Sequence, residues 1–193
     1  RVRGGYKALR NYLIEQNQTL PDRFDFIIIG GSTGSGKTRF LNQLASSVST
    51  IDLEELARHR GSAFGDVYGG QPSQATFENS LAVNLLELAH TPGREIFVES
   101  ESRRIGINLL PETFWKRMSE GKVIVLELPL TERVENILED YVRFVLKRFN
   151  EDLDKFGGYL ISSVKRIEKH LGGELATELI RQMNFALSEQ QNS

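Results

Sequence analysis

The chain has 193 residues, 39% of them hydrophobic and 26% charged, which predicts one main globular domain with a sizeable core rather than two full domains. Its formal net charge of −2 at pH 7 excludes a nucleic-acid binder with a generally basic surface, so any RNA contact requires a local basic patch. The lack of cysteine excludes disulfides, thiolate zinc sites and cysteine nucleophiles within these residues.

The first twenty residues are predicted to lie outside the main domain. Apolar side chains on one face indicate a short helix from about Tyr6 to Gln16, and Pro21 follows it as a breaker. The N-terminus lacks the apolar core of a signal peptide, and no run approaches the roughly 20 apolar residues of a membrane helix. We therefore expect residues 1–20 to be a tail and linker, and the protein to be cytoplasmic without membrane contact. Because the chain begins with Arg1 rather than Met, we also expect it to be part of a longer protein.

Strands and helices are predicted to alternate between residues 21 and 130. The predicted strands are 24–29, 50–53, 95–99 and 122–128, and the predicted helices are 37–47, 77–89 and 111–118. Residues 59–75 are rich in glycine and polar side chains without a period, which indicates an exposed functional loop. The alternation predicts an α/β fold with a mainly parallel, doubly wound sheet.

Residues 131–193 are predicted to form a helical extension. Thr131 is suited to cap a helix whose apolar stripe recurs at helical spacing and consists of Val134, Ile137, Leu138, Tyr141, Val145 and Phe149. Glycine pairs bound a second helix near residues 160–171, and a third follows near residues 175–187. In this interpretation the apolar stripes of these helices and Trp115 belong to the core.

One motif carries a specific chemical signal. The segment from Gly31 to Thr38 matches the P-loop pattern G-x-x-x-x-G-K-[ST], and it lies between a buried strand and a helix, where that motif belongs. Its glycines let backbone N–H groups point at an anion, the helix dipole adds positive potential, and Lys37 adds a mobile charge. The Thr38 hydroxyl is placed to ligate Mg²⁺. The sequence therefore predicts a P-loop NTPase-like phosphate site formed by Gly31, Ser32, Thr33, Gly34, Ser35, Gly36, Lys37 and Thr38.

Charged residues follow the third predicted strand, at the sheet edge where folds of this kind bind ligands. They are Glu99, Glu101, Arg103 and Arg104. Either carboxylate could hold Mg²⁺ through water or act as a base, and either guanidinium could pair with phosphate in a bidentate fork. We assign the two carboxylates and Arg103 to catalysis and Arg104 to phosphate binding. The alternative is a solvated loop with mutual salt bridges.

Further polar residues are candidates for substrate or tRNA contact: Asp52, His59, Arg60, Gln71 and Gln74. Asp52 closes the second predicted strand, and His59 and Arg60 follow shortly after it, so all three could face the same cleft. His59 could equally be a surface or packing histidine. The two glutamines could read a base or ribose by hydrogen bonding, or could instead cap the helix that begins near Thr76.

Taken together, these segments resemble the tRNA 2-selenouridine synthases. The resemblance extends from residue 4 to about residue 145 and is carried by an ordered series: the P-loop, 51–57, 59–65, 71–74, 77–79 and 99–106. This series is far more specific than the P-loop alone. Residues 4–10 are similar to the end of the rhodanese-like domain that precedes the P-loop domain in this family, whereas the last helices match only loosely.

The resemblance implies an enzyme that replaces the sulfur of a wobble 2-thiouridine in tRNA by selenium. In this family selenophosphate is the selenium donor, and the reaction passes through an S-geranylated intermediate made from geranyl diphosphate. The family's catalytic cysteine lies in the rhodanese-like domain, so this fragment alone is not expected to complete selenation. It is expected to bind a diphosphate ligand, with the P-loop holding geranyl diphosphate and Arg103 or Arg104 stabilising the leaving diphosphate. The expected tRNA contact is a basic set of Arg1, Arg3, Lys7 and Arg10, joined by Arg58 and Arg60.

Two other classes of function remain open from the residues themselves. A small-molecule kinase would use the P-loop, the basic residues near it and a lid formed by the helices after residue 129. A non-catalytic NTP-binding or RNA-interaction module would use the P-loop to order the 61–70 loop without turnover. Phosphorylation of a metabolite would identify the kinase, and binding without chemistry would identify the module.

Overall fold

The computed structural model describes residues 3–66 and 69–191, so Arg1 of the predicted basic set lies outside the described residues. The N-terminal part contains α1 (Gly5–Thr19), a 3-10 turn (Leu20–Arg23), β1 (Asp25–Gly31), α2 (Lys37–Leu44), β2 (Thr50–Ile51), α3 (Leu53–Ala57) and α4 (Gln74–Leu88). The middle part contains β3 (Glu95–Glu99), β4 (Arg104–Ile105), β5 (Asn108–Leu109), α5 (Glu112–Ser119) and β6 (Lys122–Leu126). The C-terminal part contains α6 (Leu130–Ile137), a π-helical segment (Leu138–Arg143), α7 (Phe144–Arg148), α8 (Leu153–Arg166), α9 (Glu168–Leu171) and α10 (Gly173–Gln191).

In the described part of the chain, four strands form a parallel sheet in the order β2-β3-β1-β6. Ile29 of β1 pairs with Glu99 of β3 on one side and with Ile124 of β6 on the other, so the carboxyl ends of these strands meet at one edge. The prediction of an α/β fold with a mainly parallel sheet is confirmed. β2 is shorter than predicted because Asp52 already caps α3, with its carboxylate accepting a hydrogen bond from the Glu55 N–H at 2.8 Å.

The main core lies between the sheet and helices α4 and α5. Phe77, Leu81 and Leu85 recur at helical spacing along α4 and are fully buried. Phe26 of β1 meets Phe114 of α5 edge to face, with ring centroids 5.1 Å apart. This packing fixes the first part of β1, and the strand then continues to Gly31, where the P-loop begins. Trp115 is partly buried and packs against the same cluster.

Helix α1 packs against α4 and α5. Leu13 and Asn17 are buried there, and the Asn17 side-chain amide donates to the Glu78 carbonyl oxygen at 2.8 Å. Arg10 forms an ion pair with Glu78 and donates to the Asn79 side chain at 2.9 Å. The segment predicted as a tail and linker is therefore packed on the α/β body, while the division of the chain near residues 20 and 130 stays a prediction.

The helix that Thr131 was predicted to cap begins at Leu130, so Thr131 lies inside its first turn. Pro129 precedes α6, and no side-chain hydrogen bond within the described residues caps its start, so the predicted Thr131 cap is wrong. The predicted continuous helix as far as Phe149 is interrupted by the π-helical segment, whose wider turns rotate the side chains that follow. Val134 and Leu138, predicted on the buried stripe, are 46% and 40% exposed.

A smaller core joins the last helices. Val145 of α7 and Phe156 of α8 are buried in it, and Leu187 of α10 packs against them. Asp152 caps α8 by accepting a hydrogen bond from the Lys155 N–H at 3.0 Å. Of the helices in residues 3–66 and 69–191, none is both long and apolar enough to cross a membrane.

Candidate phosphate-binding site

The P-loop lies between the end of β1 and the start of α2, as the motif predicts. Gly34 has a φ of +79°, in the left-handed region that favours glycine. A Cβ added to Gly34 would overlap the carbonyl oxygen of Arg133 on α6. The Ser35 N–H donates to the Ser32 carbonyl oxygen at 3.0 Å and closes the turn. The loop is therefore tight, and its crest, residues 33 and 34, lies directly against α6.

Lys37 is the first residue of α2. Its Nζ donates to the Gly31 carbonyl oxygen at 3.1 Å, so the ammonium group lies back over the loop. The first N–H groups of any helix lack carbonyl partners within the helix, and the helix dipole is positive at that end. The ammonium group and these N–H groups together form a cradle of the kind that suits a phosphate group.

A pocket with a volume of about 400 Å³ opens beside the P-loop at the carboxyl edge of the sheet. Among the described residues that line it, Tyr141 is the only aromatic one, and the others are glycine, polar or charged. They are Thr33, Gly34, Gly36, Lys37, Thr38, Arg39, Asn42, Glu54, Arg60, Gly61, Ser62, Glu99, Ser100, Glu101, Ser102, Asp140 and Tyr141. A charged ligand fits this lining better than an apolar one.

Three carboxyl groups form one wall of the pocket, the acidic wall: Glu54, Glu99 and Glu101. Glu99 is only 3% exposed, and its Oε1 has no hydrogen-bond partner among the described residues. Burial, aided by repulsion from Glu54, raises the pKa of Glu99 to about 7, although the Thr38 hydroxyl opposes the shift. Burial and repulsion from Glu54 and Glu99 raise the pKa of Glu101 to about 8. This wall therefore favours a cation that would neutralise it.

Arg39 and Arg60 bring guanidinium groups to the same pocket. The Arg60 guanidinium carbon lies 5.3 Å from the ring centroid of Tyr141 and 5.0 Å from that of Phe144. Arg60 also donates to the Asp140 carbonyl oxygen at 2.7 Å, and Arg39 pairs with the Asp140 carboxylate at 3.6 Å. Both cations are thus held in place by the π-helical segment, which reduces the freedom they lose on binding an anion.

The structure brings only part of the predicted site together. Lys37, Thr38, Glu99, Glu101 and Arg60 line one pocket, with Thr33, Gly34 and Gly36. Gly31, Ser32 and Ser35 complete the loop without lining the pocket. Arg103 and Arg104 are exposed outside it, because the chain turns after Glu101 into the antiparallel β4–β5 hairpin, which was not predicted.

Asp52 and His59 also lie outside the pocket lining. The Asp52 carboxylate is used to cap α3. His59 is half-buried, and burial lowers its pKa, so its imidazole is neutral at pH 7. Its packing against Gly65 is so close that a Cβ on Gly65 would meet the ring. These positions favour the packing interpretation of His59 over direct contact with a ligand.

The two predicted glutamines bind the protein's own backbone. The Gln71 amide donates to the carbonyl oxygens of Ala57 and Ile105, and its oxygen accepts from the Ile107 N–H at 2.8 Å. Gln74 makes a matched pair of 2.8 Å hydrogen bonds with the N–H and carbonyl oxygen of Leu109. Both side chains therefore fasten the β4–β5 hairpin to the rest of the fold.

Sequence reasoning missed several residues of the pocket: Arg39, Asn42, Glu54, Asp140 and Tyr141. The first two follow the P-loop lysine within two turns of the same helix, so their helical spacing was a usable signal. Glu54 lies within one of the segments that carry the family resemblance. Asp140 and Tyr141 had no local signal, because their place depends on a π-helical turn in a segment that reads as an ordinary amphipathic helix.

The loop from residue 59 to residue 66 forms another wall of the pocket, and α8 supports it from behind. Arg166 donates to the Ala63 carbonyl oxygen at 2.8 Å, and the Tyr159 hydroxyl donates to the Phe64 carbonyl oxygen. On the pocket side, the Gly61 N–H donates to the Glu54 carboxylate. The loop is thus held between the acidic wall and the C-terminal helices.

Comparisons with known proteins show the family of the chain. A family model described as the tRNA 2-selenouridine synthase AAA domain matches residues 24–193. Proteins named tRNA 2-selenouridine synthase from Marinobacter nauticus and Shewanella loihica are 45% and 42% identical over 98% of this chain. One from Aeromonas salmonicida is 39% identical over 100% of it. These alignments cover 52 to 53% of each relative, so the chain spans about half the length of the curated relatives it matches. The chain therefore belongs to the tRNA 2-selenouridine synthase family.

Proposed function

We propose that this chain supplies the phosphate-binding site of an enzyme that converts wobble 2-thiouridine in tRNA to 2-selenouridine. The observation that carries the proposal is that Lys37 and Thr38 of the P-loop line the same pocket as Glu99 and Glu101, in a chain of this family. The relatives are named for the complete reaction, and the chain spans about half of their length. We therefore propose that the use of selenophosphate belongs to the other half of such a protein, in a rhodanese-like domain.

The ligand of the P-loop in this proposal is the diphosphate end of geranyl diphosphate. In the transfer step, the thiouridine sulfur forms a bond to the first geranyl carbon while the carbon–oxygen bond to diphosphate breaks. The diphosphate leaves with the bonding electron pair, and the base releases its N3 proton. The pocket's polar lining suits the diphosphate group, so the geranyl chain would extend out of the pocket toward the acceptor base.

Positive charge for the leaving diphosphate is available from three residues that line the pocket. Lys37 lies in the cradle, while Asp140 of the π-helical segment holds Arg39 and Arg60. Cations already fixed in place stabilise developing negative charge without further reorganisation. We therefore transfer the role first given to Arg103 and Arg104 to Arg39 and Arg60.

Mg²⁺ is the metal that fits this site. In the described ranges, no three His, Cys, Asp or Glu side chains are grouped to hold a metal ion by themselves. Mg²⁺ is usually bound by one or two protein groups together with phosphate oxygens and waters. Thr38 and the buried Glu99 carboxylate, whose Oε1 has no hydrogen-bond partner among the described residues, would supply the protein ligands, and the metal would neutralise charge on the diphosphate.

The proposal is tested by calorimetric titration of the intact protein with Mg²⁺ and each of four ligands: inorganic diphosphate, geranyl diphosphate, ATP and GTP. We expect both diphosphates to bind, and geranyl diphosphate to bind at least as tightly as inorganic diphosphate. Tight ATP binding together with phosphorylation of a nucleoside, and no binding of geranyl diphosphate, would instead support a small-molecule kinase.

Two exposed cations near the N-terminus, Lys7 of α1 and Arg3 just before it, are the proposed tRNA contact. Arg3 and Lys7 are exposed, whereas Arg10 is paired with Glu78 and is less available. Reversing both exposed charges, with Arg3→Glu and Lys7→Glu, should weaken tRNA binding by roughly tenfold and reduce the salt slope by about 2. Binding measured across a salt series checks this, with Lys169→Glu, an exposed cation of α9, as the control. An unchanged slope would exclude α1 from the tRNA interface.

A further inference from the structure

The crest of the P-loop is held by side chains of α6. The Arg133 Nε donates to the Thr33 carbonyl oxygen at 3.0 Å, and the Asn136 Nδ2 donates to the Gly34 carbonyl oxygen at 2.8 Å. Asn136 is half-buried between the loop and α2. These two side chains therefore bind successive carbonyl groups at the top of the phosphate cradle.

These hydrogen bonds fix the direction of the loop's N–H groups. In a trans peptide, the carbonyl group and the following N–H point in opposite directions. Binding of the Thr33 carbonyl by α6 therefore turns the Gly34 N–H away from α6. The next peptide is held at both ends, because its carbonyl accepts from Asn136 and its N–H, on Ser35, donates to Ser32. The crest cannot rotate without breaking one of these bonds.

Asn136 also orients a cation of the pocket. Its Oδ1 accepts a hydrogen bond from Arg39 Nη1 at 2.7 Å, while the other end of the Arg39 guanidinium lies 3.6 Å from the Asp140 carboxylate. One amide side chain thus connects the P-loop crest with the guanidinium that faces the same ligand. Its two polar atoms bind different partners, since the nitrogen donates to the Gly34 carbonyl oxygen and the oxygen accepts from Arg39.

We propose that Asn136 is a positioning residue that holds the P-loop crest and Arg39 in the relative positions needed to bind the phosphate groups of the ligand. The inference rests on the proposed function, because it takes a diphosphate as the ligand of the P-loop. It makes α6 a part of the binding site through residues that the P-loop motif does not include. Asn136 acts through Gly34 and Arg39 and does not itself line the pocket.

The test compares two substitutions at this position in the intact protein. Asn136→Ala removes both hydrogen bonds, whereas Asn136→Asp keeps an oxygen for Arg39 and removes the donor to Gly34. We expect both to weaken Mg²⁺–diphosphate binding, Asn136→Ala by about tenfold. Amide hydrogen exchange should become faster at Ser35, whose N–H donates to Ser32, while β1 stays protected. Glu132→Gln, on an exposed position of the same helix, is the control and should leave both readouts unchanged.

A purely structural role predicts a different pattern. In that case the melting temperature falls and exchange accelerates throughout β1, while the folded fraction binds diphosphate with the wild-type affinity. Such a result, or equal affinities for wild type and Asn136→Ala, would overturn the inference. Failure of the wild-type protein to bind Mg²⁺–diphosphate would instead contradict the proposed function, so the two failures are distinguishable.

Discussion

Replacing Lys37 by alanine is expected to lower the affinity for Mg²⁺–diphosphate by at least about 100-fold. The Lys37 ammonium lies over the loop, bonded to the Gly31 carbonyl, and a bound phosphate would give it a stronger, charged partner. Removing it leaves the cradle with its backbone N–H groups and the helix dipole, so that Arg39, Arg60 and Mg²⁺ supply the remaining positive charge. Calorimetric titration with inorganic diphosphate and Mg²⁺ measures the loss directly.

Matched variants separate loss of charge from loss of fold. Lys37→Arg keeps the charge but not the compact ammonium, and should recover only part of the affinity. Lys116→Ala, an exposed lysine of α5, should bind as the wild type does. The wild type should also gain thermal stability as ligand is added, whereas Lys37→Ala should gain little. If Lys37→Ala bound diphosphate within threefold of wild type, the cradle would not be the ligand's anchor.

The ligand-free protein is expected to lose stability as the pH rises from 5 to 8. Glu99 and Glu101 have pKa values of about 7 and about 8 in the fold, against an ordinary value of 4.5. A carboxyl group with a raised pKa binds its proton more tightly in the folded state, so its stabilisation is complete below 4.5 and is lost as the pH passes through the folded pKa. At about 1.4 kcal/mol per pKa unit, Glu99 alone accounts for roughly 2 to 3 kcal/mol of unfolding free energy over this range.

Denaturant unfolding at several pH values tests this expectation. Glu99→Gln and Glu101→Gln should each flatten the decline, because an amide has no proton to lose. Glu95→Gln, an exposed residue of the same strand, should leave the decline unchanged. Saturating Mg²⁺–diphosphate should also reduce it, since a bound cation favours the ionised carboxylates. If the unfolding free energy instead rises between pH 5 and pH 8, the pKa values of Glu99 and Glu101 are not raised in the fold, and the expectation is wrong.

The parts of the site that sequence could predict are those set by local patterns. The P-loop has a fixed spacing between a buried strand and a helix, and Glu99 is the last residue of a strand whose register with β1 is set by the parallel sheet. Arg103 and Arg104 carry the positive charge that a phosphate site needs, and they follow a strand that ends at the site. They miss the pocket because the hairpin that follows Glu101 turns the chain away, and its two-residue strands have no recognisable pattern.

The contribution of α6 and the π-helical segment to the site could not be predicted, for a different reason. Tyr141 was assigned to a core stripe because the segment has helical spacing, and a π-helical turn changes which side chains face the pocket without changing that spacing. Asn136 and Arg133 meet the P-loop roughly 100 residues away in sequence, a contact that depends on how α6 folds back over the loop. Packing between distant elements, rather than propensity, places these residues.

The support of the 59–66 loop by α8 limits how the protein can be shortened for laboratory use. A version ending before α8 would retain the sheet, the P-loop and the acidic wall, and it would look sufficient from the motif. It would lose Tyr159 and Arg166, which bind the carbonyl groups of Phe64 and Ala63. Those carbonyls would then face water, and the loop would sample many arrangements. Ligand screens and crystallisation trials should therefore retain α8 and the helices that follow it, since a trimmed protein would present a different pocket from the one described above.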